Sequence, residues 1–125
     1  MPWQSQAHVR VCEEHHALVV AACGDFDADE RDLLLAAWDE ADERGLPATV
    51  VDLTGVTFAD SSLLDALLRA RARHHTAGRR LVLAGPLPSQ VLLLLTVTGA
   101  LEHFLVAGSL VEALQSPPDG ETAEV

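Results

Sequence analysis

The 125-residue chain contains no lysine and no tyrosine. Without lysine, the chain can have no phosphate-loop lysine, no Schiff-base amine and no lysine beside a receiver-type aspartyl phosphate. Without tyrosine, no phenol can act as an acid, a base or a nucleophile. These two absences exclude several classes of enzyme that handle nucleotides, phosphates or carbonyl substrates.

Cysteine and long apolar runs are also scarce. Cys12 and Cys23 are isolated and form no CxxC motif, and this pattern is typical of buried, reduced thiols in a cytosolic protein. Residues 1–16 contain no central apolar run of the kind found in signal peptides. No apolar run approaches the ~20 residues that span a bilayer. We therefore expect a cytoplasmic protein with no membrane partner.

The charge balance is strongly acidic. Eight arginines against 19 carboxylates give a net charge of −11, which has the wrong sign for binding nucleic acid or an anionic membrane. Residues 25–43 hold nine carboxylates, whereas residues 69–80 hold five of the eight arginines. Either these are two solvated helix faces, or they form a dipolar surface that orients a partner. The composition favours a small protein-binding or regulatory domain.

Hydrophobic periodicity predicts the element order β-β-α-β-α-β-α-β-α. Strands are expected at 8–12, 17–23, 48–53, 80–84 and 102–106, and helices at 28–44, 61–76, 89–98 and from 109 to 114. The 28–44 helix should bury Leu34, Ala37, Trp38 and Ala41, and the 61–76 helix Leu64, Leu67 and Leu68. Such alternation predicts an α/β fold with a four- to five-stranded, mixed and mainly parallel sheet and about four helices. Residues 1–115 should form the single domain and residues 116–125 a disordered acidic tail.

Motifs for metal or nucleotide chemistry are missing. The six histidines include the adjacent pairs His15-His16 and His74-His75, and adjacent side chains diverge, so neither pair easily holds one ion. There is no HExxH motif, no Cys/His quartet, no G-x-S-x-G elbow and no glycine-rich nucleotide loop. We therefore expect no metal, no cofactor and no catalytic residues.

The most informative segment runs from Asp52 to Leu64, with the sequence DLTGVTFADSSLL. A buried strand is followed by a loop (residues 54–60), after which Asp60-Ser61-Ser62 opens a helix. Taken alone, Ser61 could simply be a helix N-cap worth ~1 kcal/mol. Asp27, before the first helix, is a second N-cap candidate.

This segment resembles the signature of the STAS domain, the fold shared by sulphate transporters and antagonists of anti-sigma factors. The STAS pattern has a strand ending D-L-S/T, a V-x-F-x-D turn and then D-S/T-S/T-G-L at a helix start. Two other segments, residues 24–27 (GDFD) and 98–101 (TGAL) with Phe104, resemble further parts of the STAS pattern. The resemblance extends over roughly residues 8–115.

The resemblance implies a bacterial partner-switching module that is not an enzyme. Ser61 matches the phosphoacceptor, Ser62 the second hydroxyl, and Asp27 and Asp60 the two acidic positions nearby. Such a protein binds an anti-sigma factor with serine kinase activity and thereby releases a sigma factor. Phosphorylation of the serine abolishes binding, and a metal-dependent, PP2C-like phosphatase restores it.

One position departs from the STAS pattern, because Leu63 stands where the pattern has glycine. We expect its side chain to project beside Ser61, where it would hinder the kinase or require a partner with a matching pocket. This departure favours an alternative in which the protein is a non-phosphorylated scaffold or a ligand-sensing subunit of a signalling complex.

Overall fold

A computed structural model of the protein describes residues 7–115, which form one five-stranded sheet and four α-helices. The strands are β1 (His8–Glu14), β2 (Ala17–Phe26), β3 (Ala48–Ala59), β4 (Arg80–Ala84) and β5 (Leu105–Ala107). The helices are α1 (Arg31–Arg44), α2 (Ser61–Ala77), α3 (Ser89–Val97) and α4 (Leu110–Gln115), with single 3-10 turns at Ala28–Glu30 and Leu101–His103. The predicted tail, 116–125, lies outside the described residues.

The strands lie in the sheet in the order in which they occur along the chain. Strand β1 pairs antiparallel with β2, and β2, β3, β4 and β5 pair in parallel. Each parallel connection needs a crossover, and α1, α2 and α3 provide the three crossovers. The predicted α/β class and mixed, mainly parallel sheet are thus confirmed.

Helices α1 and α2 pack together over one face of the sheet. The predicted stripe on α1 is buried as expected, with Trp38 0% exposed, and the Trp38 Nε1 donates a hydrogen bond to the Ala66 carbonyl at 2.9 Å. On α2 the predicted stripe is correct only in part. Leu67 is buried and Leu64 packs half-buried against the core as predicted, but Leu68 is 40% exposed. The fully buried side chains are Leu63, Ala66, Leu67, Ala70 and His74, so the stripe is centred one position earlier than predicted.

Strand β3 extends well beyond the predicted end at residue 53. The segment predicted as a loop continues as a strand to Ala59 because β2 also continues, to Phe26, and pairs with it through two register shifts. A Cβ atom at Gly55 would lie 2.8 Å from the Cys23 Sγ, so this glycine permits close approach of the two strands. At the opposite edge of the sheet, the 3-10 turn Leu101–His103 covers the predicted start of β5 at residue 102. Strand β5 therefore begins at Leu105.

The charge-rich segments face each other across the α1–α2 seam. Arg73 pairs with both Asp39 and Asp42, and Arg79 also pairs with Asp42. Desolvation acts to raise the pKa of Asp42, but the two guanidinium groups outweigh it and hold that pKa below its ordinary value. Three of the five arginines of residues 69–80, namely Arg69, Arg73 and Arg79, therefore pair with helix carboxylates.

The adjacent histidines of α2 have different environments. His74 is 1% exposed, with its Nδ1 2.8 Å from the Ala70 carbonyl and its Nε2 2.7 Å from the Thr49 hydroxyl. Because a carbonyl can only accept, Nδ1 carries the proton and Nε2 accepts from Thr49. Burial lowers the His74 pKa, so this imidazole is a neutral core group, whereas His75 is exposed.

The hairpin between β1 and β2 has an unusual two-residue turn. Glu14 pairs with Ala17, and between them His15 and His16 have φ angles of 52° and 65°. Turns with positive φ at both central residues favour Asn-Gly, and other residues are strained in this region.

Replacing His15 by asparagine and His16 by glycine is expected to stabilise the protein by about 1 kcal/mol, because the strain of the turn is relieved. Thermal unfolding followed by circular dichroism should show a melting temperature about 4 °C higher. The control double variant, with alanine at both positions, should melt below the wild type. A melting temperature unchanged by Asn-Gly would contradict the turn geometry.

Candidate functional site

Two aspartates lie side by side at the carboxyl edge of the sheet. Phe26 and Ala59 are register partners at the ends of β2 and β3, and Asp27 and Asp60 are the next residues along the chain. Neighbouring strands are ~4.8 Å apart, so these two residues leave the sheet as neighbours. The carboxyl edge is also where open parallel sheets commonly bind their ligands.

Asp60 is the N-cap of α2. Its φ and ψ are −126° and −164°, and its Oδ1 accepts a hydrogen bond from the Ser62 amide at 2.8 Å. Ser61 is therefore the first helical residue, and the interpretation of Ser61 as the cap is wrong. Its side chain is exposed and forms no hydrogen bond with any residue between 7 and 115. The Ser61 hydroxyl is thus open to an approaching enzyme.

Asp27 caps the adjacent 3-10 turn in the same way, as predicted. Its φ and ψ are −118° and −161°, and its Oδ1 accepts from the Asp29 amide at 3.0 Å. A hydrogen bond between the Asp27 and Glu30 carboxyl groups lowers the pKa of Asp27 and raises the pKa of Glu30. The two elements beside Ser61 therefore begin with matching carboxylate caps.

No cation between residues 7 and 115 forms an ion pair with these caps. Among the ion pairs formed within residues 7–115, none includes Asp27, Glu30 or Asp60. Arg31, which follows Glu30 directly, pairs instead with Asp65 at 2.8 Å. The surface around Ser61 is therefore acidic before any modification.

Leu63 does not project beside Ser61, and that expectation is wrong. Its side chain is 1% exposed and packs in the main hydrophobic core. Two residues along an α-helix correspond to a rotation of about 200°, so the turn that exposes Ser61 directs Leu63 inward. Ser62 lies between them and is half-buried. Leucine at this position thus leaves access to Ser61 open.

An apolar surface lies next to the acidic one, on the third helix, which by sequence could be either core or contact surface. Leu93 and Val97 of α3 are 63% and 73% exposed. Together with Ala59, which immediately precedes the Asp60 cap, they line a shallow depression of about 400 Å³. The available signal was the composition of α3, because a helix that is apolar all round exposes apolar side chains unless it is fully buried. Only Val91 and Leu95 of α3 are buried.

Between residues 7 and 115, membrane-spanning helices and metal-binding clusters are absent. None of the helices there has the length and hydropathy to cross a membrane. In the same range, no group of three histidine, cysteine, aspartate or glutamate side chains could hold a metal ion. The acidic edge with its free hydroxyl, together with the apolar face of α3, is the candidate site.

Comparison with known proteins agrees with the architecture. The family described as Mlab, STAS domain, matches residues 9–112. Among curated protein sequences, none matches this chain.

Several solved structures are similar over most of their length. An anti-sigma factor antagonist from Mycobacterium paratuberculosis is 24% identical, with a TM-score of 0.73 over 87% of this chain and 92% of that one. An anti-sigma-factor antagonist (STAS) domain protein from Planctomyces limnophilus is 25% identical, with a TM-score of 0.68 over 86% and 96%. The anti-sigma factor antagonist SpoIIAA in its unphosphorylated form is 18% identical, with a TM-score of 0.70 over 85% and 92%. The phosphorylated form of SpoIIAA, a Bacillus protein, also matches, with a TM-score of 0.65 over 85% and 96%.

Proposed function

Because this chain belongs to the STAS domain family, we propose that it is a cytoplasmic anti-sigma factor antagonist controlled by phosphorylation of Ser61. In the unphosphorylated state it binds an anti-sigma factor that has serine kinase activity, and a sigma factor is released. The kinase then phosphorylates Ser61, the complex dissociates, and a PP2C-like phosphatase restores the binding state. The chain itself catalyses no reaction and needs no cofactor.

The observation that carries this proposal is the environment of the Ser61 hydroxyl. Asp60 is the N-cap of α2, so the Ser61 hydroxyl is not needed to cap the helix and remains exposed at its first position. Had Ser61 been the cap, its phosphorylation would have removed a helix-stabilising hydrogen bond. Modification of Ser61 can therefore control binding without disturbing the fold.

The electrostatics of the site fit such a switch. A phosphoryl group adds about −1.5 to −2 charge, and at the start of α2 the helix dipole favours that charge by about 0.3–1 kcal/mol. The same charge would join Asp27, Glu30 and Asp60, none of which forms an ion pair within residues 7–115. Burying it unpaired against a partner costs several kcal/mol, so the free protein tolerates the phosphate and the complex does not.

The apolar face of α3 forms the apolar centre of the proposed interface. Leu93 and Val97 are large, exposed and adjacent to the acidic edge, as expected of an interface whose apolar centre is bordered by charged groups. A partner that covers this face would also cover Ser61. The alternative of a non-phosphorylated scaffold loses its main support, since Leu63 is buried.

The test is phosphorylation in the cells that produce the protein. The tagged chain should copurify with an ATP-binding serine kinase, and addition of ATP should dissociate the complex and add the mass of one phosphate to the peptide containing Ser61. Ser61→Ala should bind the same kinase, remain unphosphorylated and stay bound when ATP is added.

The second hydroxyl provides the matched control. Ser62→Ala should be phosphorylated like the wild type, because Ser62 is half-buried whereas Ser61 is exposed. Phosphate retained in Ser61→Ala and lost in Ser62→Ala would transfer the role to Ser62. Failure to recover any kinase, with no phosphate on either serine, would overturn the proposed function.

A further inference from the structure

A second cavity lies on the other face of the sheet, far from Ser61. It has a volume of about 180 Å³ and lies between α4 and the amino ends of β2, β3 and β4, whereas Ser61 follows the carboxyl end of β3. Its walls are mostly apolar and comprise Ala17, Pro47, Ala48, Val50, Val82, Ala113 and Leu114. The remaining lining residues are His15, His16 and Arg80, so the polar groups of the cavity are two imidazoles and a guanidinium.

Arg80 is the unusual member of this set. Its Nε is buried without a hydrogen-bond partner, and Arg80 joins none of the ion pairs formed within residues 7–115. Buried polar groups nearly always have a partner, and an uncompensated cation is more costly still. Arg10 and Arg71 also form no ion pair within residues 7–115, but of these three arginines Arg80 alone lines this cavity, and no carboxylate of the described residues lines it.

The hairpin turn adds an independent observation. His15 and His16 both line the cavity, and both have left-handed backbone conformations that Asn-Gly would adopt with less strain. Strained backbone at the wall of a cavity is typical of functional sites. The two imidazoles also place hydrogen-bonding groups in the wall of the cavity that Arg80 lines. An Asn-Gly turn would remove both imidazoles.

We infer that this cavity binds a small carboxylate with an apolar body of about the size of a benzene ring. The planar guanidinium of Arg80 forms no ion pair within residues 7–115, and its terminal nitrogens match the two oxygens of a carboxylate. A cavity of about 150 Å³ with apolar walls is known to hold benzene, so the volume here suits a ligand such as benzoate. A phosphate ion fits less well, because its remaining oxygens would face alanine, valine and leucine side chains.

The test is a titration of the full-length protein with benzoate, followed by amide chemical shifts. Saturable shifts should be confined to the hairpin turn, the start of β4 and α4. Benzyl alcohol, which has the same ring without the charge, and inorganic phosphate, which has the charge without the ring, should each bind at least tenfold more weakly. Benzyl alcohol binding as tightly as benzoate, or phosphate doing so, would overturn the inference.

Point variants distinguish binding of benzoate in this cavity from a general effect of the protein's charge. Arg80→Gln should weaken benzoate binding at least tenfold, whereas Arg10→Gln, which removes an exposed arginine on the edge strand β1, should leave it unchanged. Ala113→Leu keeps Arg80 and fills the cavity, so it should also weaken binding if the variant remains folded. The Asn-Gly turn variant should melt higher and yet bind benzoate less tightly.

The result is independent of the proposed phosphorylation switch. Ser61→Ala should bind benzoate like the wild type, and no kinase is needed for the titration. Absence of saturable binding by the wild type, equal binding by Arg80→Gln, or shifts centred on the start of α2 would each overturn the inference and leave the proposed function unaffected.

Discussion

Replacing Leu63 by alanine is expected to lower the free energy of unfolding by about 3 kcal/mol, within the range for a fully buried leucine. The side chain is 1% exposed and belongs to the main core, so its truncation leaves a cavity that the surrounding helices and strands fill only in part. Leu63→Gly, which creates the residue of the STAS pattern, should cost about 1 kcal/mol more because glycine is a poor helix former. A loss of this size is a large fraction of the stability of a typical domain.

Urea unfolding followed by circular dichroism measures this effect. The matched control is Leu68→Ala on the same helix, where the leucine is 40% exposed and the loss should be under about 1 kcal/mol. Equal losses for Leu63→Ala and Leu68→Ala would show that Leu63 does not have the core role assigned to it. In the folded fraction of Leu63→Gly, Ser61 should be phosphorylated no faster than in the wild type, because the leucine does not obstruct the hydroxyl.

The second large effect concerns binding of the serine kinase that we propose as the partner. Ser61→Asp is expected to weaken the complex at least ~100-fold, which corresponds to about 2.7 kcal/mol. The new carboxylate would be buried at the interface beside Asp60 and Asp27 without a cation to compensate it. At the first position of a helix an aspartate is favourable, so the free variant should melt at or slightly above the wild-type temperature.

Isothermal titration of the purified kinase tests this expectation, with Ser61→Asn as the control. Asparagine has nearly the shape of aspartate and lacks its charge, so its affinity should stay within about tenfold of the wild type, a difference of 1.4 kcal/mol. A well-folded Ser61→Asp that binds as tightly as Ser61→Asn would exclude an electrostatic switch. Equal and strong losses in both variants would indicate a steric effect at this position.

Much of this architecture could be predicted because it depends on short-range patterns. The apolar stripe of α1 follows a 3.6-residue period, and its prediction was correct at every buried position. Asp27 precedes an acidic first turn, which is a local capping pattern, and it was correctly assigned. The alternation of strands and helices likewise restricted the sheet to a mainly parallel one before any contact was known.

The details of the candidate site needed the tertiary structure. Asp60 and Ser61 are both good caps by residue type, and only the backbone at the start of α2 decides between them. The same rotation about the helix axis exposes Ser61 and buries Leu63, whereas the sequence pattern placed the apolar stripe of α2 one position out of phase. The helix phase is set by packing of α2 on α1 and the sheet, which local propensity does not encode.

The chain's own sequence therefore determined the element order, the fold class, the Asp27 cap and the acidic character of the surface, since each depends on residues within a few positions of one another. Tertiary structure alone decided the length of β3, the burial of Leu63, and the meeting of His15, His16 and Arg80 around one cavity. These features depend on pairing and packing between residues that are tens of positions apart. Such contacts form only when the whole sheet and its helices bury their apolar faces together.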